Sequence, residues 1–172
     1  TKDLTEDEKK DVLIFASANN VLGTGTVQSY FLTDIVNANN LAGSGDFIKI
    51  SEEELLNYNP EKLIIAGHDG YISPETVKAG KSCGINWGNV KDLEAIKNDE
   101  FICLGYEEWR DTIETPVTLL KMAKLVYPEL FEDIDIEKEE KELYMNCYGL
   151  TEDQVAGALD AQHYTGQLEE AK

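Results

Sequence analysis

The chain has 172 residues, 34 acidic against 15 basic, for a formal net charge of −19. An apolar fraction of 42 % beside 28 % charged residues fits one globular domain large enough to bury a core. The charge excludes the basic footprint of a nucleic-acid binder, and an anionic membrane surface repels such a chain.

No run of about 18 apolar residues occurs, so no segment reads as a membrane span. Cys83, Cys103 and Cys147 lack the spacing of a zinc motif. One bridge with a spare thiol is one arrangement; three reduced, buried thiols are the expectation. His68 and His163 are the two histidines and leave little material for a metal site, and no cofactor motif is recognisable. The chain opens on Thr1 without a signal peptide and reads as a processed product or a cut piece.

Residues 1–11 are charged and read as the end of a helix or a tail. Val12 to Ala16 forms a buried-strand pattern, followed by a loop over Asn19 to Thr26. Residues 26–38 are expected as a helix burying Val27, Phe31, Ile35 and Ala38. Phe47 to Ile50 is a short strand, and Ser51 opens a helix. Leu63 to Ala66 is a second buried strand. Ser73-Pro74-Glu75 starts a helix with an N-cap and a proline in the first turn. Val90 to Lys97 is a short helix, and Phe101 to Leu104 a third strand. Thr115-Pro116 starts a helix burying Leu119, Met122, Ala123 and Val126, stopped at Tyr127-Pro128. Residues 135–148 form a helix closed by Gly149, with Ile136, Leu143, Tyr144 and Cys147 along it. Thr151-x-x-Gln154 is a capping box for a last helix, and 161–172 reads as a C-terminal tail.

Apolar strands without alternation, separated by helices, predict an α/β three-layer sandwich with a mostly parallel sheet flanked by helices, over residues 12–160. Ligands of such sheets sit beyond the carboxyl ends of the strands. The loops at Ser17–Thr26, Gly67–Tyr71 and Gly105–Glu114 are therefore the places to look. Gly23-Thr24-Gly25 lacks the third glycine of a dinucleotide fingerprint, and no Walker lysine or Gly-x-Ser-x-Gly elbow is present. No pair of acids stands out as a catalytic dyad. The sequence reads as a non-enzyme.

Of the basic residues, fourteen are lysines and one is arginine, Arg110. Its planar fork of donors suits a carboxylate or another oxyanion, and Trp109 and Tyr106 beside it offer stacking faces. The alternative is an ion pair with Glu107, Asp111 or Glu114. His68 and Tyr71 share the same predicted edge, as do Asn20 and Thr24 of the first loop; His68 capping a turn is the plainer alternative. In Ser51-Glu52-Glu53-Glu54, Glu54 completes a capping box, Ile50 and Leu55 form a hydrophobic staple, and Glu52 and Glu53 have no local partner.

Three stretches resemble one family. Ile50-Ser51-Glu52-Glu53-Glu54-Leu55-Leu56-Asn57-Tyr58-Asn59-Pro60-Glu61 followed by an apolar strand resembles Ser-x-Glu-x-Leu-Leu-x-x-x-Pro-Asp of ABC-importer substrate-binding proteins, the class for iron–siderophore complexes, haem and cobalamin. Trp87 to Phe101 resembles the same family's Trp, then Leu-x-Ala-Val-Lys-Asn-Gly-x-Val. Met122-Ala123-Lys124-Leu125-Val126-Tyr127-Pro128-Glu129-Leu130-Phe131 resembles its Ala-Lys-x-Leu-Tyr-Pro-Glu-x-Phe. Asn98-Asp99 stands where the family has Asn-Gly, and Glu61 where it has Asp.

The resemblance implies two α/β lobes joined by a rigid helix, with this chain as the C-terminal lobe and residues 1–11 as the end of that helix. It implies a missing N-terminal lobe and an extracytoplasmic place, periplasmic or as a surface lipoprotein. It also implies an ABC permease with its ATPase subunit as partners. Glu53 matches the glutamate that docks on permease arginines. The ligand site would take Asn20, Thr24, His68, Tyr71, Tyr106, Trp109 and Arg110, around a chelated metal complex. Molybdate or tungstate is the alternative ligand, and a small cytosolic α/β enzyme with an oxyanion loop is the alternative of another class.

Overall fold

The computed structural model describes residues 1–17 and 19–163. The expected tail at 164–172 lies outside the described residues. Strands β1 (Asp11–Ser17), β2 (Asn20–Leu22), β3 (Asn39–Asn40), β4 (Phe47–Lys49), β5 (Lys62–Ala66) and β8 (Phe101–Leu104) form one sheet, ordered β4-β2-β1-β5-β8 with β3 paired to the start of β1. β6 (Ser82–Cys83) and β7 (Ile85–Asn86) form a separate hairpin. The helices are α1 (Val27–Tyr30, running into a π-helical stretch Phe31–Val36), α2 (Glu52–Tyr58), α3 (Pro74–Lys78), α4 (Glu94–Lys97), α5 (Thr115–Val126), α6 (Ile136–Tyr148) and α7 (Glu152–Gln162).

β1, β5 and β8 are parallel, with Leu13 opposite Leu63 and Leu63 opposite Phe101. Their unbroken apolar runs are split by the two-residue pleat. Leu13, Phe15, Leu63, Ile65 and Phe101 face a core closed by Leu55, Val77, Trp87, Leu93 and Ile96. Val12, Ile14, Ala16, Ile64, Ala66 and Leu104 face a second core closed by Leu32, Val36, Met122, Val126 and Tyr127. Phe15 meets Trp87 edge to face, with centroids 5.2 Å apart. Each fully buried aliphatic side chain contributes about 1.5–3 kcal/mol, so both faces of the sheet are needed for stability.

The sheet is mixed, because part of the expected 19–26 loop is strand. Asn19 turns at φ 61°, a left-handed conformation that asparagine tolerates, and sends β2 back antiparallel along β1. β4 then pairs antiparallel with β2. The first helix buries Ser29, Leu32 and Val36, and leaves Val27 and Ile35 exposed. The π-helical stretch accounts for Ile35: its wider turn ends with the Asn37 N–H bonded to Leu32 O, which rotates later residues away from the ideal stripe, whereas Val27 lies before it.

Residues 1–10 form turns with a short 3₁₀ segment, Glu6–Glu8, rather than an α-helical end, and Asp11 already belongs to β1. Ala161 and Gln162 belong to α7 rather than to a tail. The 90–97 helix is shorter than expected, a 3₁₀ turn at Trp87–Asn89 preceding α4. Cys147 is exposed on α6, while Cys83 and Cys103 are half-buried, so the expectation of three buried thiols fails at Cys147. Of the stripe expected on α6, only Tyr144 is buried. Other start and stop signals hold. Ser51 and Glu54 form the capping box, Ser73 caps α3 ahead of Pro74, and Gly149 ends α6 at φ 67°.

We expect Leu63→Ala to cost about 2–5 kcal/mol, because it opens a cavity in the central strand. Urea unfolding followed by far-UV circular dichroism measures it. A cost below about 1 kcal/mol would contradict the packing described.

Candidate functional site

The parallel register brings the loops after β5 and β8 together. Ala66 lies opposite Leu104, and both strands end there. Gly67 sits so close to β8 that a Cβ would lie 2.9 Å from Leu104 O. His68 and Trp109 then meet, with ring centroids 4.9 Å apart. Phe47 of β4 packs edge-on against His68 at 5.2 Å. The result is a row of three rings, Phe47–His68–Trp109, of which His68 and Trp109 follow the carboxyl ends of β5 and β8. Asp69 Oδ1 lies 2.9 Å from His68 Nδ1 and holds the imidazole.

Trp109 is held by packing on the second core and by its backbone. Gln28 Nε2, in the first turn of α1, donates to Trp109 O at 2.7 Å. Trp109 Nε1 is buried with no acceptor among the described residues. Arg110 lies over the Tyr106 ring, its Cζ 5.5 Å from the centroid. Its Nη1 is 3.6 Å from Glu107 Oε1, and both side chains are substantially exposed (46 % and 40 %). Such a pair contributes about 0–1 kcal/mol and leaves the guanidinium free to exchange partners. Of the three acids weighed for Arg110, Glu107 is therefore the one it meets.

Arg110 and His68 share one edge, as expected. Tyr71 turns aside to stack on His163 at 4.3 Å, and burial pushes its phenol up to about 12. Thr24 is exposed, and its N–H donates to Gly43 O in a glycine-rich turn. Asn20 opens β2 opposite Lys49. Phe47 and Gln28 belong to the site and carry no sequence signal, since only the tertiary pairing brings them there. Burial pushes the Cys103 thiol up to about 12, which removes it as a nucleophile.

The acidic helix start is resolved residue by residue. Glu54 accepts from Ser51 N–H at 2.8 Å and so completes the cap. Glu52, without a local partner as expected, finds distant ones: it accepts from Asn86 N–H at 2.9 Å and Asn89 Nδ2 at 2.7 Å. Glu53 is exposed, and its carboxylate makes no hydrogen bond or ion pair among the described residues.

Beneath the 105–114 loop lies a buried polar group that the sequence did not reveal. Glu108 is 7 % exposed and accepts from Gly105 N–H and Lys121 Nζ. Lys121 also meets Glu140 Oε1 at 2.5 Å. Burial works against the charge of Lys121, yet Glu108 and Glu140 hold its pKa above the ordinary lysine value. Burial raises the Glu140 carboxyl above its usual range, against the pull of Lys121. Glu108 and Lys121 stand thirteen residues apart, a spacing that gives no local signal.

Removing the shared cation leaves two carboxylates facing each other. We expect Lys121→Met to cost about 3–5 kcal/mol near neutral pH. Without the lysine the Glu140 carboxyl, already raised by burial, rises further in the folded state, so stability is lost as pH rises through it. The deficit should be largest near pH 8 and shrink toward pH 5. Thermal unfolding across that range checks it, and a deficit that does not vary with pH would contradict the arrangement.

No family model and no curated protein matches the chain. Solved structures do. A periplasmic solute-binding protein of Veillonella parvula matches with a TM-score of 0.69 at 24 % identity, over 89 % of this chain and 47 % of that one. The molybdate periplasmic binding protein MolA of Haemophilus influenzae matches with a TM-score of 0.66 at 20 % identity, over 87 % and 45 %. Helicobacter pylori CeuE in its Ni–His complex matches with a TM-score of 0.60 at 24 % identity, over 87 % and 47 %. The chain thus spans less than half the length of each. It has the α/β fold of a single lobe of the periplasmic solute-binding proteins.

Proposed function

We propose that this chain is one lobe of the solute-binding component of an ABC importer. In that reading it works outside the cytoplasm, holds a chelated metal complex against the Phe47–His68–Trp109 row, and delivers it to a membrane permease. ATP is hydrolysed by a separate partner subunit. The observation that carries the reading is the position of the aromatic row and Arg110. His68, Trp109 and Arg110 follow the carboxyl ends of the parallel strands β5 and β8, with Phe47 packed on His68, in a fold that accounts for under half of each of these binding proteins. A second lobe closing over that edge would exclude water and complete the contacts.

Arg110 and Tyr106 would orient a carboxylate or another oxygen-rich edge of the complex, while the rings stack on its faces. Tyr71, its ring stacked on His163, and Thr24 and Asn20 would line the rim. Glu53 would dock on a cation of the permease, being the one member of its triplet left without a partner. MolA supports a second reading, in which Arg110 meets an oxyanion such as molybdate. The reading as a chelate binder rests instead on the three rings, which an inorganic oxyanion does not use.

Three outcomes follow. The 172-residue chain alone should fold yet show little or no binding at micromolar solute, since losing about 4 kcal/mol of contacts weakens binding roughly a thousandfold. In the two-lobe protein, Arg110→Ala should cost about 1.5–3 kcal/mol of affinity. Glu53→Ala should leave affinity unchanged and slow uptake. Titration calorimetry with ferric siderophores, haem, cobalamin, molybdate and tungstate, together with a transport assay, tests all three. Sub-micromolar binding by the single chain would overturn the one-lobe reading.

A further inference from the structure

The loop that carries Tyr106, Trp109 and Arg110 is tied down by a chain of hydrogen bonds. Glu107 N–H donates to Gln162 Oε1 at 3.0 Å. Gln162 Nε2 donates to the Tyr144 hydroxyl at 2.7 Å. That hydroxyl lies 3.5 Å from Glu114 Oε1, the longest link. Thr112 Oγ1 carries one proton between two acceptors, Glu114 Oε2 at 2.6 Å and Glu107 O at 3.1 Å. Tyr148 adds a second phenol, donating to Glu114 Oε1 at 2.8 Å. Gln162, Tyr144 and Glu114 are 9 %, 6 % and 6 % exposed, so water cannot readily replace these partners.

Gln162 sits at the junction. Besides its two side-chain bonds, its carbonyl accepts from Tyr106 N–H at 3.1 Å. Gly105 passes so close that a Cβ there would lie 2.6 Å from both Gln162 Cβ and Gln162 O. The entry of the loop therefore rests on the last turn of α7, although the two are more than fifty residues apart in sequence. Within the loop, Arg110 N–H donates to Glu107 O at 3.1 Å, so a shift of Glu107 is passed to Arg110 and its neighbour Trp109.

We infer that Gln162, acting through Glu107 and Tyr144, is a positioning residue that holds the 105–114 loop in the conformation presenting Tyr106, Trp109 and Arg110. It touches no solute itself. Its bearing on capture rests on the function proposed above. The measurement needs no ligand, so its failure is distinguishable from failure of that reading.

The test uses the 172-residue chain in three forms: unaltered, Gln162→Leu and Tyr144→Phe. Amide hydrogen exchange is followed at Glu107 and Arg110, with Leu13 and Ile64 of the central strands as references. Acrylamide quenching of tryptophan is followed in parallel; Trp87 is fully buried, so the quenched fraction reports Trp109. In Gln162→Leu the Glu107 amide should exchange at least tenfold faster and Trp109 quenching should rise, while Leu13 and Ile64 keep their rates. Tyr144→Phe, which keeps the Glu107 bond but removes the next link, should speed exchange at Glu107 several-fold. Should Gln162→Leu fail to fold, Tyr144→Phe decides alone. Unchanged rates at Glu107 in every variant that folds would overturn the inference. So would a rise matched step for step at Leu13 and Ile64, since that is global destabilisation and not loop positioning.

Discussion

Three parallel strands buried on both faces are the constraint from which the rest of this molecule follows. β1 and β5 present side chains that are almost wholly excluded from water on either side, and β8 continues the pattern at the sheet's end. A strand in that position cannot offer a polar side chain to a solute without leaving it unsatisfied in a core. Chemistry is therefore displaced to the strand ends, and parallel pairing places those ends together. The register of Ala66 against Leu104 means that two residues beyond one strand and five beyond the other suffice to bring His68 onto Trp109. The site is a consequence of register, and the tight fit at Gly67 records how closely the two loops leave the sheet.

The second constraint is charge. With a formal charge of −19, the chain's field opposes any anion approaching from a distance. Near the edge, the only guanidinium already lies beside Glu107, and Asp69 occupies His68. Attraction at this edge must therefore come mainly from ring faces, through dispersion and stacking, which are insensitive to the sign of a solute's charge. Arg110 then acts locally, as a directional donor set, rather than as a source of long-range steering. Under the proposed function, this division favours a solute with flat, extended surface over a compact oxyanion.

Much of the architecture was legible because its signals are local. Capping boxes at Ser51 and Thr151, Ser73 ahead of Pro74, and the glycine after α6 all depend on residues within four positions of one another. The apolar strands were legible because burial on both faces leaves a run without alternation. What escaped was set by tertiary pairing. Val27-Phe31-Ile35 and Ser29-Leu32-Val36 are both acceptable helical stripes, and the packing of the helix on the second core selects the latter. β2 hides in a sequence rich in Asn and Gly because its strand character comes from pairing with β1 and β4. Arg110, Trp109 and His68 were found at one edge as expected, since chain order and the carboxyl-end rule place them there. Phe47, Gln28 and the buried acids were not, because no spacing links Glu108 to Lys121 or Glu107 to Gln162.

The glutamate triplet shows how far local physics accounts for a cluster and where it stops. Successive helical residues point about 100° apart, so three neighbours cannot share one partner. Glu54 turns back to the helix start, and Glu52 reaches across to the β7 end of the small hairpin and to Asn89. Each has a reason within the fold. Glu53 points into solvent between them, and the helix dipole, which any acid in the first turn would satisfy, is its only structural rationale. A residue whose replacement the fold would tolerate, flanked by two it uses, is free to be chosen for something outside the chain. Its neighbours supply what such a contact needs, because they fix the helix start and its approach to the hairpin. The carboxylate is thus offered from a rigid surface, at an entropic cost lower than a flexible loop would impose.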